Sequence, residues 1–514
     1  MTAAGRDAAA GAAAAAGAAD VADAPAHPLL VLDPRELPVL DVARWRRDLV
    51  AAAQAGHRLV TLYGRRAEGG QVLLTAALLA GEELRVLRAA IDPAQGYPEL
   101  TSEFPALHCF ERELHEQHGV RFAEHPWLKP LRYEGGDQAA MSRYPFYRVD
   151  GKEVHEVAVG PIHAGVIEPG AFRFMCYGEH VLHLEIQLGY QHRGAERLLR
   201  EGDPRRRAAL VETLAGDSSV AHTWAYSAAV EALADAPPPP ELAAQVARSR
   251  AVALELERVA MHLASLSGLA ADVAFLPGAS TYGRLRTAVI NTTMRLCGSR
   301  LGRGAVRPGG VALRLSEDEA PAVRATLAAL RADLALIDDA FLESRVVRHR
   351  LARVGVVTEE LARELGLVGH AARASGCALD ARAGGPYARP ALERVTEARG
   401  DCLARARLRV RELAASLRWL EAALAEPCVW TPSAPAAAPP LRPHRLAISL
   451  VEGWRGEVVH CLETDAGGAL LHYKAQDPSL RNWMGLAMAV RGNEISDFPI
   501  CNKSFDLSYG GHDL

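Results

Sequence analysis

Apolar residues recur along this chain at two different periods, and the change from one to the other separates two kinds of structure. Residues 58–66 (RLVTLYGRR) and 71–79 (QVLLTAALL) are apolar runs on either side of Gly69-Gly70, the pattern of a β-hairpin. A helix is expected next, with Thr101-Ser102 as its cap, Pro105 in its first turn and Gly119 at its exit. Its charged run Glu111-Arg112-Glu113 is expected on a solvated face. From about residue 151 the period lengthens to that of helices. Val252, Leu256, Val259, Leu263, Leu266, Ala270 and Val273 step alternately by four and three, as do Leu403, Ala406, Val410, Leu413, Leu417, Leu420 and Leu424. Two helices with such seams are expected to pack together as in a bundle. Proline-rich stretches at 237–240 and 432–443 read as a loop and a linker. Beyond them, 446–450 and 457–462 read as strands.

These patterns give an α+β protein. Residues 1–27, rich in Ala and Gly, read as a disordered tail. Residues 28–150 read as a small α/β domain, and residues 151–514 as a mostly helical bundle domain with small β elements.

Composition narrows the function. The 514 residues are 49% hydrophobic and 23% charged, so a sizeable core is available. A formal net charge of −4 gives no field directed at nucleic acid, so no nucleic-acid partner is expected. No apolar run is long enough to span a bilayer, and the N-terminus lacks the pattern of a signal peptide. A cytoplasmic protein is expected, with membrane contact only through partners. The eight cysteines contain no C-x-x-C pair, the usual spacing of metal and iron-sulfur ligands, and read as small buried residues. No G-x-G-x-x-G opens a helix after a strand, so the chain is not expected to bind a dinucleotide itself.

Two stretches carry a family resemblance. Residues 97–131, YPELTSEFPALHCFERELHEQHGVRFAEHPWLKPL, resemble the small peripheral-arm subunit of complex I, a docking domain without a cofactor. Residues 157–199, VAVGPIHAGVIEPGAFRFMCYGEHVLHLEIQLGYQHRGAERLL, resemble the opening of the large subunit of energy-converting nickel-iron hydrogenases of the formate-hydrogenlyase type. Four further segments follow in that family's order: ELERVAMHLASLSGLAADVAF (255–275), GLVGHAARASGCALDAR (366–382), VEGWRGEVVH (451–460) and DFPICNKSFDLSYGGHDL (497–514). The same family includes the hydrogenase-derived subunit of complex I. Fusion of the two pieces in one chain is typical of the formate-hydrogenlyase type.

The resemblance implies a metal site that this sequence does not keep. The family holds nickel and iron with four cysteines in two C-x-x-C pairs, because soft thiolates suit both metals. The corresponding positions carry Ala215, Ser218, Ser508 and Gly511. No nickel-iron centre is therefore expected. The chain's stop at Leu514 fits this, since metal-bearing relatives often carry a C-terminal extension that is removed at maturation. Complex I, which lost the same ligands, uses a tyrosine six residues before the histidine matched by His222. Here that position is Gly216, which weakens a quinone reading.

What the resemblance leaves in the pocket is Glu168, matching a proton-transferring glutamate, Arg455, matching an arginine over the metal, and His163, matching a histidine that contacts quinone. Asp217, Ser218, Ser219, His222, Ser508 and His512 are expected nearby. Glu168, Arg455, His163 and His222 are the candidate catalytic residues, with His163 a possible quinone contact. Glu168 with Arg455 reads equally as a buried ion pair, His222 as a satisfied core histidine, and Arg373 with Asp380 as a structural pair. A hard-metal site on Asp217, His222 and His512 is a minor alternative. The implied role is a subunit of a membrane-bound oxidoreductase complex, coupling electron transfer to proton relay or quinone chemistry on the cytoplasmic face. Its partners would be a small iron-sulfur subunit and antiporter-like membrane subunits. NAD and iron-sulfur clusters would enter only through partners. The alternatives are a non-enzymatic scaffold and, ranked last, an active hydrogenase.

Overall fold

The computed structural model describes residues 28–134, 138–163, 167–235, 240–316, 319–425 and 439–514. The tail at 1–27, the loop at 237–239 and most of the 432–443 linker lie outside the described residues.

The first segment is built on a hairpin. β1 (Leu29–Leu32) and β2 (Val39–Leu40) precede helix α1 (Val42–Gln54); β3 (Arg58–Arg66), β4 (Val72–Ala80) and β5 (Glu83–Ile91) follow it. The sheet runs β2-β5-β4-β3, with β3 and β4 antiparallel around the expected Gly69-Gly70 turn. Gly69 and Gly70 take positive φ of 68° and 78°, which glycine adopts without a Cβ penalty. The expected helix forms as α2 (His108–His118) after a 3₁₀ turn that starts at Pro105. Gly119 closes it at φ 70°. Thr101 does not cap it; its hydroxyl donates to Glu111 at 2.7 Å.

The second segment opens with the sheet of β6 (Val154–Val159), β7 (Ala171–Tyr177) and β8 (His180–Gln187). Helices α3 (Ser219–Leu233), α4 (Pro240–Asp272), α5 (Leu276–Cys297), α6 (Glu319–Glu343) and α7 (Cys402–Ala423) build the body. Both predicted seams are real: every named α4 position is buried, and all α7 positions but the half-buried Val410 are buried. The two helices touch through polar side chains as well as apolar ones. His262 meets Glu412 at 2.7 Å, and Ser416 donates to Glu255 at 2.6 Å. Arg373 extends this buried network to Glu412 and Glu452 and lies 4.0 Å from Asp380, the structural pair expected.

The chain closes with β9 (Leu446–Glu452), β10 (Glu457–Thr464), β11 (Leu470–Gln476), α8 (Ser479–Ala489), α9 (Phe498–Phe505) and α10 (Tyr509–Asp513). β1 leaves its own neighbours and adds to this last sheet, Leu29 opposite Ser449 and Leu32 opposite Leu446. Val60, Tyr63 and Ala77 of the first sheet pack on Ile448, Leu450 and Val459 of the last. The segments are therefore joined by a shared strand and a shared apolar layer.

Buried charge also crosses the joint, and this corrects the expectation for the 111–113 run. Glu111, Arg112 and Glu113 are buried, not solvated. Glu113 binds Arg132 and takes Lys474 at 2.6 Å from β11. Glu111 accepts from the backbone N–H of Leu100 and Thr101, and Arg112 donates to the carbonyls of Lys129 and Pro130. Arg58 pairs with Glu457, and Arg481 donates to the Leu59 and Val60 carbonyls at 2.6 and 2.7 Å. A carboxylate buried between two cations is compensated, whereas an unpaired one would not stay ionised.

Burial pushes the Glu113 carboxyl upward, but Lys474 and Arg132 outweigh it and bring the group from 4.5 down to about 2. A depressed carboxylate stabilises the fold above its unfolded value and loses that contribution as pH falls from about 4.5 towards 2. Glu113→Gln leaves buried Arg132 without its anion and Lys474 with Glu196 alone, at 3.1 Å. It is expected to cost about 3–5 kcal/mol at neutral pH. Thermal unfolding of wild type and variant should show a large gap at pH 7 that narrows as pH falls towards 3.

Candidate functional site

The site forms where the turn before α3 meets the β9–β10 turn and the C-terminal helices. Ser218 is the N-cap residue of α3, and its carbonyl accepts the His222 N–H at 3.1 Å. Asp217 beside it receives both guanidinium nitrogens of Arg455, at 2.6 and 2.7 Å. Arg455 also donates to the Asp506 carbonyl at 2.5 Å and to Ser218 Oγ at 3.4 Å, and lies 4.0 Å over the Trp454 ring. Trp454 donates its indole N–H to the Asp217 carbonyl at 2.9 Å. A cavity of about 220 Å³ opens alongside, bounded by Asp217, Trp454, Lys503 and Asp506. Backbone packing holds the Arg455 turn: a Cβ on Gly369 would sit 1.9 Å from the Arg455 carbonyl oxygen.

A line of buried polar groups runs inward from this turn. Asp477, His222 and His460 are fully buried, and Tyr473 is nearly so. Asp477 Oδ2 lies 3.1 Å from His222 Nε2, His222 Nδ1 lies 3.1 Å from His460 Nε2, and His460 Nδ1 lies 2.8 Å from Tyr473 Oη. Burial opposes the Asp477 charge, yet the bond and charge of His222, with Arg455 behind them, pull its pKa below the ordinary value. Burial, reinforced by His222, drives His460 well below 6.5, and burial drives Tyr473 well above 10. If Asp477 is ionised and each imidazole carries one proton, donors and acceptors have one consistent arrangement. In that state Tyr473 donates to His460, His460 to His222, and His222 to Asp477. Placing a second proton on His222 requires each of the other two bonds to reverse. The line thus has two polarised states that differ by one proton.

Asp477 also touches the last segment. A Cβ built on Gly511 would lie 2.6 Å from the Asp477 carboxyl carbon, so a side chain at 511 and the Asp477 carboxylate compete for one space. Ser508 caps α10 by accepting the Gly511 N–H at 2.9 Å, and its own N–H donates to Ser479 Oγ at 2.9 Å. Ser479 N–H in turn donates to Asp477 at 2.8 Å. Contacts around Asp477, His222 and Arg455 therefore link Ser218, Ser508 and Gly511. Ala215 lies in the same turn, its carbonyl accepting the Ser218 N–H at 2.9 Å.

Other expected residues are placed differently. Glu168 does not meet Arg455; it is exposed and accepts the Gly510 N–H at 2.9 Å, while Asp217 takes the arginine. His163 is half-buried and packs against Phe172 and Tyr509 at ring distances of 5.6 and 6.2 Å. His512 turns away and binds Asp513 at 2.7 Å. Asp217, His222 and His512 do not form a metal set, and among the described residues no group of three His, Cys, Asp or Glu has metal-holding geometry. Ser219 donates to the Gly216 carbonyl at 3.0 Å. His222 is a satisfied core histidine, but its partners are themselves titratable.

Sequence reasoning missed four residues here. His460 stood in a quoted motif without a role, while Tyr473 and Asp477 carried no motif. The available signal was alternation: Tyr473, Ala475 and Asp477 share one side of a strand and its exit, an inward side that holds polar residues. The fourth is Glu257, buried on α4, which accepts the Val220 N–H at 2.7 Å at the start of α3. Burial, with the nearby Asp217 charge adding to it, raises its carboxyl to about 8. Glu257 is thus a protonated carboxyl at neutral pH, held at a helix N-terminus beside the Asp217–Arg455 pair.

Known proteins are similar to this chain over both of its segments. The family model of the respiratory-chain NADH dehydrogenase 49 Kd subunit matches residues 272–429, and that of the 30 Kd subunit matches residues 41–140. The membrane-bound hydrogenase subunit alpha of Pyrococcus furiosus is 30% identical over 368 residues, 68% of this chain and 85% of that protein. This chain belongs to the family of hydrogenase large subunits and complex I 49 Kd subunits, with a 30 Kd-type domain fused to it. Formate hydrogenlyase subunit 5 of Escherichia coli is 28% identical over 440 residues, covering 80% of this chain and 76% of that one. The solved structure of a membrane-bound sulfane sulfur reductase, described as an archaeal respiratory membrane complex, aligns with a TM-score of 0.64 at 25% identity, over 72% of this chain and all of that one. These relatives are parts of membrane-bound respiratory complexes. In this hydrogenase-type subunit itself, no helix among the described residues is long and apolar enough to cross a membrane.

Competition between residue 511 and Asp477 gives a direct test. Gly511→Ala is expected to cost about 1–3 kcal/mol through overpacking. The same change in an Asp477→Ala background should cost much less. A double-mutant cycle measured by chemical unfolding reads the coupling, and additivity of the two changes would show that the side chains do not share the space.

Proposed function

We propose that this chain is the nickel-free coupling subunit of a membrane-bound oxidoreductase complex, and that its pocket moves protons with oxygen and nitrogen groups. The observation that carries the reading is the seating of Asp477. The carboxylate fills the space in front of Gly511 and anchors the His222–His460–Tyr473 line. A nickel-iron centre does not fit these residues. Ala215 and Gly511 offer no ligand atom, Ser218 and Ser508 offer hydroxyls where soft thiolates are required, and Asp477 crowds the Gly511 position.

Proton handling follows from the groups present. Asp217 is part-exposed, bound to Arg455 and electrostatically coupled to Glu257, which carries a proton at neutral pH. Asp477 feels Arg455 on one side and His222 on the other. A change of charge at the Asp217–Arg455 pair therefore shifts the cost of a proton on His222, and the hydrogen-bonded line passes that shift to Tyr473. Electrons would reach the pocket from a small iron-sulfur subunit, and antiporter-like membrane subunits would use the proton event. The chain would sit peripherally on the cytoplasmic side, held by those partners. NAD and iron-sulfur clusters would belong to partners. Quinone is the weaker ligand, because Gly216 supplies no hydroxyl and His163 lies on the outer loop. The remaining alternative is a purely structural scaffold.

The test uses the complex purified through a tag on this chain and returned to vesicles. Iron-sulfur and antiporter-like subunits should co-purify; recovery of the chain alone would overturn the reading. Tyr473→Phe removes one hydroxyl from the line, and His222→Gln removes its centre. Both variants should assemble normally, and ion translocation driven by electron transfer should fall by about tenfold or more, the range of a lost proton-transfer group. Wild-type translocation in both would support the scaffold instead.

A further inference from the structure

A second cavity, of about 250 Å³, lies at the joint between the two fused segments and has no part in the proton line. Its first wall comes from α2 and the loop after it, its second from β8, α8 and Arg491. Trp127 and Trp483 line it with aromatic surface, and Leu188 and Met484 add apolar surface. The Trp127 ring is fixed in place: Arg112 sits 4.3 Å over it, His108 stacks on it at 5.5 Å, and its indole N–H donates to Glu185 at 3.0 Å.

The charges lining this cavity do not cancel equally. Arg112 is satisfied by two carbonyls, at 2.8 and 2.6 Å. Lys129 and Glu185 neutralise each other at 2.5 Å, and Tyr144 and the Tyr147 N–H complete the carboxylate's partners. Arg491 is different. It is half-buried, its side chain has no carboxylate or carbonyl partner among the described residues, and its Nε is buried without a hydrogen bond. Burial alone lowers its pKa, yet a guanidinium keeps its proton at neutral pH. Burial also holds His108, His183 and His512 below their ordinary pKa, so they add no further positive charge beside Arg491 and serve as neutral donors and acceptors. A half-buried guanidinium with no anionic partner at the edge of an aromatic cavity can offer charge-assisted hydrogen bonds to an anion that enters it.

We propose that this cavity binds a small amphipathic carboxylate, its flat apolar body between Trp127 and Trp483 and its carboxylate on Arg491. Because the walls come from both segments, the ligand would also tie the two together. Binding and stability are therefore linked, and ligand should raise the unfolding temperature of the whole chain.

Calorimetric titration and thermal shift of the purified full-length chain with phenylacetate test this, with phenylacetamide and inorganic phosphate as controls. Phenylacetate should bind saturably below about 10 mM and raise the melting temperature. Phenylacetamide, which has the same shape without the charge, should bind about tenfold or more weakly, as should phosphate, which has charge without the ring. Arg491→Gln should remove the preference for the acid over the amide. Met484→Trp, which fills the cavity and leaves Arg491 in place, should abolish binding of both. The proposal is overturned if acid and amide bind alike, if Met484→Trp binds as wild type, or if phenylacetate shows no saturable binding. A partner subunit's side chain found in the cavity in a structure of the intact complex would overturn it equally.

Discussion

A buried carboxylate needs a countercharge, hydrogen bonds, or both, and Asp477 organises its neighbours to supply them. His222 and the Ser479 N–H bind it directly, and Arg455 contributes from one layer away. Its bulk leaves room only for glycine at 511. Its hold on His222 sets which nitrogen of that ring faces His460, and so positions the line that ends at Tyr473. The packing of the pocket, the last helix and the buried line all meet at this one anion.

The same rule governs the joint between the segments. Glu113 lies between Lys474 and Arg132, and Arg58 lies on Glu457. Buried pairs of this kind add little net stability over apolar packing, but they penalise any misaligned assembly strongly. In a fused chain they fix the first sheet on the last at one position. That alignment also shapes the aromatic cavity at the joint, with Arg491 at its edge.

How much of this was legible in the sequence depended on how local each signal was. The Gly69-Gly70 hairpin, the Gly119 exit, the α4 and α7 seams and the β9–β10 strands were readable, because periodicity and turn chemistry act over a few residues. The family segments brought Ser218, Ser508 and Gly511 to one place. Burial of Glu111, Arg112 and Glu113 was not readable, because Lys474 lies 361 residues from Glu113. Arg455 was paired in expectation with Glu168, yet Asp217, next to Ser218, takes it. Tyr473 and Asp477 escaped notice because strand alternation marks an inward side without saying which inward residues meet.

The central claim is that oxygen and nitrogen groups replaced a thiolate metal site. The most direct measurement is the nickel content of this subunit, by elemental mass spectrometry on the intact complex from cells grown with nickel. The account predicts less than about 0.1 nickel per chain, since no soft ligand set remains to hold it. One nickel per chain, lost on substitution of Asp477 or His222, would contradict it.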